Sequence, residues 1–381
     1  MVFPEKFDLA IVGAGILGLA CALAAARRKL KVVVIERDQR ARQASIRNFG
    51  FITVTGQDRE GVWSRARRSR DVWREVAPKA GIPIVQTGQW VAAQRPEAAA
   101  VLEAFMRTDM ADGCELLTAA SARQRCPDLQ TPGLQAVLWS PHELRVESRE
   151  AIPLLADWLA RDHGVTFCWE TAAHSIAPAH IETSRGPIPT RATIVCPGDD
   201  LVSLYQDRLA RAGIGRCMLQ MLRLDSPGFR LPGTVMSDLS LIRYGGFATL
   251  PEAAVLRRRL ESEQSEFLQN GIHLIVAQGA DGSLVVGDSH HYDSTDEPFA
   301  TERVYELLLD EYTAVVGKPA PAVQQRWIGT YAVAKNRVVL IEAPAPDVRL
   351  VVVTSGIGAS TGFAIGEEVI GELFNSRSVT S

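Results

Sequence analysis

The sequence predicts an α/β protein: a Rossmann-like parallel sheet flanked by helices, joined to a second, α+β domain built on a mixed sheet. Three observations predict it. The chain opens on a strand–turn–helix–strand unit over Phe7–Glu36. From Ile82 onward, short strand-like pieces alternate with helical ones. The end of the chain then repeats the opening pattern of strand, Gly-rich turn and helix. At 381 residues the chain is too long for one ordinary core and suits two domains.

In the opening unit, Asp8–Val12 is a short apolar strand, Gly13-Ala14-Gly15-Ile16-Leu17-Gly18 is a Gly-rich turn opening a helix to about Lys29, and Lys31–Ile35 is a second strand ending at Glu36. Gly13 permits the tight turn, Gly15 lets the backbone approach a pyrophosphate, and Gly18 lets helix and strand pack closely. The helix N-terminus offers free N–H groups and a positive dipole end to phosphates. Glu36, 18 residues after the last Gly, suits ribose hydroxyls and repels a 2′-phosphate. A lone GxGxxG is weak; one set between two strands with this acid is a dinucleotide fingerprint.

Beyond it, Asn48–Val54 alternates like an extended segment, and 60–79 is an amphipathic helix whose many Arg mark a solvated face. Further strands are expected at Pro83–Val85, Gln89–Ala93, Val165–Trp169 and Ala192–Cys196, with helices at Pro96–Met110 and Ala119–Cys126. Another helix spans Ser148–Asp162, with Ser148 as its cap. Cys217–Leu224 begins a β-rich section that includes helix Glu252–Asn270 and the pair Ile272–Ala277 and Ser283–Gly287, joined through Asp281-Gly282. Helix Thr301–Val316, strand Arg349–Thr354 and helix Thr361–Phe374 complete the chain.

Composition excludes several classes. The chain is 46% hydrophobic and 22% charged with net charge −3, an ordinary globular balance with nothing to suggest nucleic acid or a membrane surface. Only six of its 41 basic residues are Lys, a skew that base composition explains and that also supplies Arg forks for an oxyanion. The six Cys are far apart, without CxxC or metal spacing, and fit reduced, buried thiols. No apolar run reaches the roughly 20 residues of a bilayer span, and no signal-peptide pattern opens the chain. The expectation is a cytoplasmic protein with no metal.

The closing turn, SGIGASTGFAIG, cannot form a second complete nucleotide site, because only 25 residues follow Gly356. Its role is close backbone approach to a cofactor already held by the first unit. One dinucleotide gripped from both chain ends suits FAD better than NAD. Without a second fingerprint for NAD(P)H, the flavin is expected to be reduced by its organic substrate.

The ordered motifs resemble the D-amino acid oxidase superfamily of FAD-dependent amine oxidoreductases over nearly the whole chain. They are GAGILG with Glu36, Ser45-x-x-Asn48-x-Gly50, ATIVCPG, GSLVVGDS, Trp327-Ile328-Gly329 and SGIGASTGF. The resemblance implies FAD, expected to be non-covalent because no Cys or His lies between Glu36 and Gly50 or in the closing turn, and a discontinuous chain: 1–80, 146–215 and 323–381 in the FAD domain, 81–145 and 216–322 in the substrate domain. It places Gly13, Gly15, Gly18 and Glu36 at pyrophosphate and ribose, and Ser45, Arg47, Asn48 and Gly50 near the pyrophosphate and flavin. Gly356, Gly358, Ser360 and Thr361 approach the pyrimidine end, and Ala173 meets adenine. Ile16, Leu17, Arg37, Cys196, Pro197, Gly198 and Gly329 complete the implied cofactor contacts.

The implied reaction is hydride transfer from an amine-bearing carbon to flavin N5, then imine hydrolysis, managed by orientation without an obligatory base. One departure is informative. Where relatives that take simple amino acids read W-x-G-x-R-P, with Arg clamping a carboxylate, this chain places Tyr331, with Lys335 and Asn336 close by. SIRNFGFITV and the length resemble a branch associated with aminoalkylphosphonate breakdown, so the expected substrate is 2-aminoethylphosphonate or its N-methyl derivative, with O2 or another electron acceptor. Candidate substrate residues are Tyr331 and Lys335 first, then Arg243, Tyr244, His290 and Arg47, with His291 and Tyr292 as further donors. The bland readings are a surface loop for His290-His291, an exposed strand end for Arg243-Tyr244 and packing for Trp327. Two alternatives stand beside this one: a glycine, sarcosine or D-amino acid oxidase or dehydrogenase, and an electron-relay subunit without amine chemistry.

Overall fold

A computed structural model describes residues 6–293 and 299–375. The first sheet has six strands in the order Val339–Ala345, Val348–Val353, Thr193–Val195, Leu9–Val12, Val32–Ile35, Thr166–Cys168. All pairs are parallel except the closing hairpin of Val339–Ala345 with Val348–Val353. The Val- and Ile-rich sequences follow from burial on both faces. Helix Ile16–Arg27 is buried from Ile16 to Ala26, because it lies between this sheet and helix Gly358–Asn375. The two helices touch at Gly366, where a Cβ would stand 2.8 Å from the backbone carbon of Ala20.

Helix Val62–Lys79 packs on the same C-terminal helix, with Trp73 edge-on to Phe363 at 5.1 Å and its Nε1 donating to the Ala359 carbonyl at 2.9 Å. The Arg-rich face is not simply solvated, as the sequence suggested. Arg65 forks onto Glu368 and Arg68 onto Glu367, two acids 303 and 299 residues away that no local pattern reveals. Ser148 is also not a cap. Glu147 holds that position, and the Ser148 hydroxyl donates instead to Asn48 Oδ1 at 2.8 Å.

The second sheet is mixed and has ten strands, eight of them along its main path, from His291–Asp293 through Gly215–Leu224, Leu284–Gly287, Ile275–Gln278, Thr234–Met236, Ile84–Ala93 and Ala136–Val146 to Phe51–Ile52, with Glu115–Thr118 and Val323–Val333 pairing off it. Strand Val323–Val333 pairs along the whole of Gly215–Leu224, so it belongs to this sheet, and the chain returns to the parallel one at Val339. Pro83–Val85 and Gln89–Ala93 merge into one strand with two register shifts, and the expected helix Glu252–Asn270 is broken into Pro251–Glu263 and Ser265–Gln269. Asp281-Gly282 does turn the chain between paired strands, with Gly282 at φ +84°. A small antiparallel sheet over 173–189 packs on one face of the parallel sheet, its Ile181 and Ile188 against Ala10, Val33 and Ile35. Among the described residues no helix is long and apolar enough to cross a membrane, and all six Cys are free thiols.

Candidate active site

A cavity of about 880 Å³ runs between the two sheets, lined by both Gly-rich turns and by the mixed sheet. At one end, Gly15, Ile16, Leu17 and Gly18 at the start of helix Ile16–Arg27 line it. Gly15 approaches Ser45 so closely that a Cβ would stand 2.9 Å from the Ser45 hydroxyl, which accepts from Ile16 N–H at 3.0 Å. Gly13, at φ +102°, and Gly18 are each pressed against backbone, Gly13 on Cys196 and Gly18 on Gly13 itself. Glu36 braces the turn: one carboxylate oxygen accepts from Ala14 N–H at 2.9 Å and the other from Asp38 N–H at 3.1 Å.

Asn48 locks the next loop. Its amide donates to the Ala44 carbonyl and its oxygen accepts from Gly50 N–H, both at 2.7 Å. Arg47 lines the cavity, and its carbonyl accepts from Trp327 Nε1 at 3.2 Å. Gly329 crosses that carbonyl, where a Cβ would sit 3.0 Å from it. Cys196, Gly198, Gly356, Gly358 and Ser360 also line the wall, Ser360 accepting from Thr53 N–H at 3.0 Å. Glu36, Arg37, Gly13, Gly50, Ala173, Pro197 and Thr361 stand behind or beyond that wall. Arg37 pairs with Asp200, and Ala173 begins a strand of the small sheet.

These residues fit FAD. Gly turns bring bare backbone to the cavity from both chain ends, and buried Gln57, also on the wall, carries an amide nitrogen without a partner, a donor available to a bound acceptor.

The other end gathers the substrate candidates. Tyr331 lies under the closing turn, where a Cβ on Gly356 would be 3.2 Å from its ring, and a bridge from Val333 to Ser355 ties that strand to the turn. Burial holds the Tyr331 and Tyr244 hydroxyls well above the usual phenol range. Arg243 Nη2 donates to the Tyr292 hydroxyl at 2.9 Å, and Lys335 is exposed at the rim. Arg243-Tyr244 is not an exposed strand end: the pair links two short helices and faces the cavity. His290 is not a surface loop residue either. It is buried, and its Nδ1 lies 2.9 Å from the Gly271 carbonyl. His291 and Trp327 are off the cavity wall.

Two residues that sequence reasoning passed over complete this end. His273 and Asp288 are both buried on the wall, and Asp288 lies 3.5 Å from His273 Nε2 and 3.6 Å from His290 Nε2. The imidazoles are stacked at 4.9 Å and 25°. Burial, then Arg243, pushes both well below the usual range, while burial raises Asp288 to about 7 against the pull of Arg243. The three groups bring ligand-type atoms within 4.8 Å of one another. Stacked rather than converging rings and a guanidinium close by suit proton exchange better than a dication. Asp288 was in view within GSLVVGDS, but nothing local shows that the residue ending that strand faces the cavity.

Residues 8–371 match the protein family described as FAD dependent oxidoreductase (DAO). Among solved structures, L-proline dehydrogenase from P. horikoshii is similar, with a TM-score of 0.79 and 18% identity over 98% of this chain and 95% of that one. Glycine oxidase from Bacillus cereus ATCC 14579 matches with a TM-score of 0.77 and 16% identity over 98% and 96%. L-alpha-glycerophosphate oxidase from Mycoplasma pneumoniae, solved with FAD bound, matches with a TM-score of 0.73 and 18% identity over 97% and 95%. No curated protein sequence matches significantly.

Proposed function

The chain belongs to the FAD-dependent oxidoreductase family, and from that premise we propose that it oxidises a small amine bearing an anionic head group, an aminoalkylphosphonate. The substrate is 2-aminoethylphosphonate or its N-methyl derivative, and the product imine hydrolyses to an aldehyde. The observation that carries the reading is the donor set at the substrate end: Arg243, Tyr292 and Tyr331 on the wall, with Lys335 at the rim. A planar carboxylate is satisfied by one bidentate Arg fork, whereas a tetrahedral, up to doubly charged phosphonate calls for several donors from different directions. Tyr331 at the position where the family resemblance expects Arg fits the same reading.

FAD, when bound, accepts a hydride at N5 from the carbon that carries nitrogen. The chain's own residues then orient and desolvate. Arg243 and Tyr292 fix the head group, Tyr331 and the Gly356 turn close one wall, and buried Leu219 and Met221 keep part of the lining apolar. The five-segment division into cofactor and substrate domains is part of the proposal, with the last crossover placed after Val333.

A glycine- or sarcosine-type activity is the second reading, favoured by Arg243, which offers a fork for a carboxylate, and by the glycine oxidase among the fold neighbours. The glycerophosphate oxidase among them points to a phosphate-bearing substrate instead. Anaerobic mixing decides between them. Either phosphonate amine should bleach the oxidised flavin absorbance; bleaching by glycine, sarcosine or a D-amino acid alone would overturn the phosphonate reading. An unbleached flavin with every amine would leave an electron-relay subunit.

A further inference from the structure

We propose that Asp288, set against the Nε2 atoms of both His273 and His290, is the site that binds the substrate's ammonium and takes its proton before oxidation. The assignment rests on the amine reading above but not on the identity of the head group.

An amine reaches the enzyme at neutral pH as R–NH3+, which has no lone pair with which to form C=N. Something in the cavity must accept a proton. Asp288 is the buried acid of the substrate end, and its Oδ1 has no hydrogen-bond partner. An unpaired carboxylate oxygen in a cavity wall is costly unless a ligand satisfies it, and an ammonium supplies up to three donors.

The surrounding groups determine which one takes the proton. Arg243 and Tyr244 face Asp288 from the loop after Asp238–Leu241 and Cys217 from the strand paired with Val323–Val333, where Tyr331 stands edge-on to His290 at 6.3 Å. Arg243 cannot accept a proton. Tyr244 and Tyr331, with phenols raised by burial, and Cys217, whose thiol burial raises to about 11, are already protonated and neutral. His291 and Tyr292 lie beyond His290, with Tyr292 54% exposed.

His290 is held by the Gly271 carbonyl at Nδ1, so that nitrogen carries the hydrogen and Nε2 presents a lone pair towards Asp288. A protonated Asp288 therefore has an acceptor to point at, and proton uptake leaves no new orphan. The charges balance as well: Arg243 and ionised Asp288 cancel before the amine binds, and after transfer the amine and the acid are both neutral.

The transfer is R–NH3+ plus Asp288–COO⁻ giving R–NH2 plus Asp288–COOH. The amine's lone pair then forms C=N as the C–H bond breaks and its electron pair leaves with the hydride to FAD. Water adds to the resulting iminium to release the aldehyde.

The test is stopped-flow anaerobic reduction of holoenzyme by N-methyl-2-aminoethylphosphonate, from about pH 6 to about pH 10, where the amine itself becomes neutral. At neutral pH, Asp288→Asn should slow flavin reduction at least roughly tenfold, the low end of what a positioned base contributes being higher still. The deficit should close as the pH approaches about 10. An unchanged profile, or a deficit equal at every pH, overturns the assignment.

If sarcosine bleaches the flavin and the phosphonate amine does not, the phosphonate reading fails and the same comparison with sarcosine judges Asp288. If no amine bleaches it, both fall. Infrared titration of substrate-free holoenzyme gives an independent reading. A protonated-carboxyl C=O band should grow in as pH falls through neutrality and be missing from Asp288→Asn; its absence from the wild type overturns the proposal.

Discussion

Glu36→Ala tests how the cofactor end is built. Glu36 is half-buried and spans the Gly-rich turn, accepting from Ala14 N–H at 2.9 Å and from Asp38 N–H at 3.1 Å. Hydrogen bonds to a charged group contribute about 1.5–3 kcal/mol each, and partial exposure favours the low end, so the pair holds about 3 kcal/mol. Without it, the turn must be ordered by FAD itself, and that free energy is drawn from binding. At about 1.4 kcal/mol per tenfold, the FAD dissociation constant should rise by about 100-fold. Glu36→Gln, which keeps one acceptor oxygen, should cost about tenfold by the same reckoning. Titrating apoprotein with FAD and following the quenching of its fluorescence measures both. A Glu36→Ala dissociation constant within about threefold of wild type would refute the bracing role, since that is under 1 kcal/mol.

Two other predictions probe charge. Lys335→Ala should raise KM for a phosphonate amine by about tenfold with kcat little changed, the loss of one charge-assisted contact at an exposed rim, and an unmoved KM would remove Lys335 from the site. Asp238 is 1% exposed, paired with Arg95 at 2.8 Å and bonded to Gln94 N–H at 2.9 Å, yet burial raises it from 3.8 to about 6. Its folded value lies above its unfolded one, so its contribution to stability is full below pH 3.8 and lost as pH rises through about 6. The loss amounts to about 3 kcal/mol by pH 7.5, and the stability difference between Asp238→Asn and wild type should shift in favour of the variant by that order between about pH 4 and 7.5. Parallel denaturation curves across that window would contradict it.

The cofactor end was legible because its determinants are local. Gly13, Gly15 and Gly18 are where they are because of backbone contacts within one turn and its neighbouring strand, and such contacts leave a residue-spaced trace. Gly356 and Gly358 could be read in the same way, as could the antiparallel pair joined through Asp281-Gly282. The substrate end left no such trace. Arg243, His273, Asp288 and Tyr331 come from four separate segments and meet only once the mixed sheet has formed. His290 looked like a loop residue because its burial depends on the Gly271 carbonyl, which is distant in sequence. The Arg-rich helix looked solvated for the same reason, its acids lying on the C-terminal helix. Ser148 misled in the opposite way, since a residue type suited to capping was used to hold Asn48.

Tyr331 shows how the two ends constrain each other. Its ring fills the space beneath Gly356, and its strand is tied to the closing turn through Val333 and Ser355. A guanidinium at 331 would have to fit under that turn while Arg243 already places a positive charge at the same end of the cavity. Two unshielded cations in a low-dielectric wall repel strongly, and one carboxylate, Asp288, cannot neutralise both. Arg243 and an Arg at 331 are therefore alternatives rather than partners. Moving the cation from the strand to the loop leaves a neutral phenol beside the Gly356 turn and sets the positive charge opposite Asp288. That separation of a cationic and an anionic group within one cavity matches a zwitterion whose amine and head group are held by different residues.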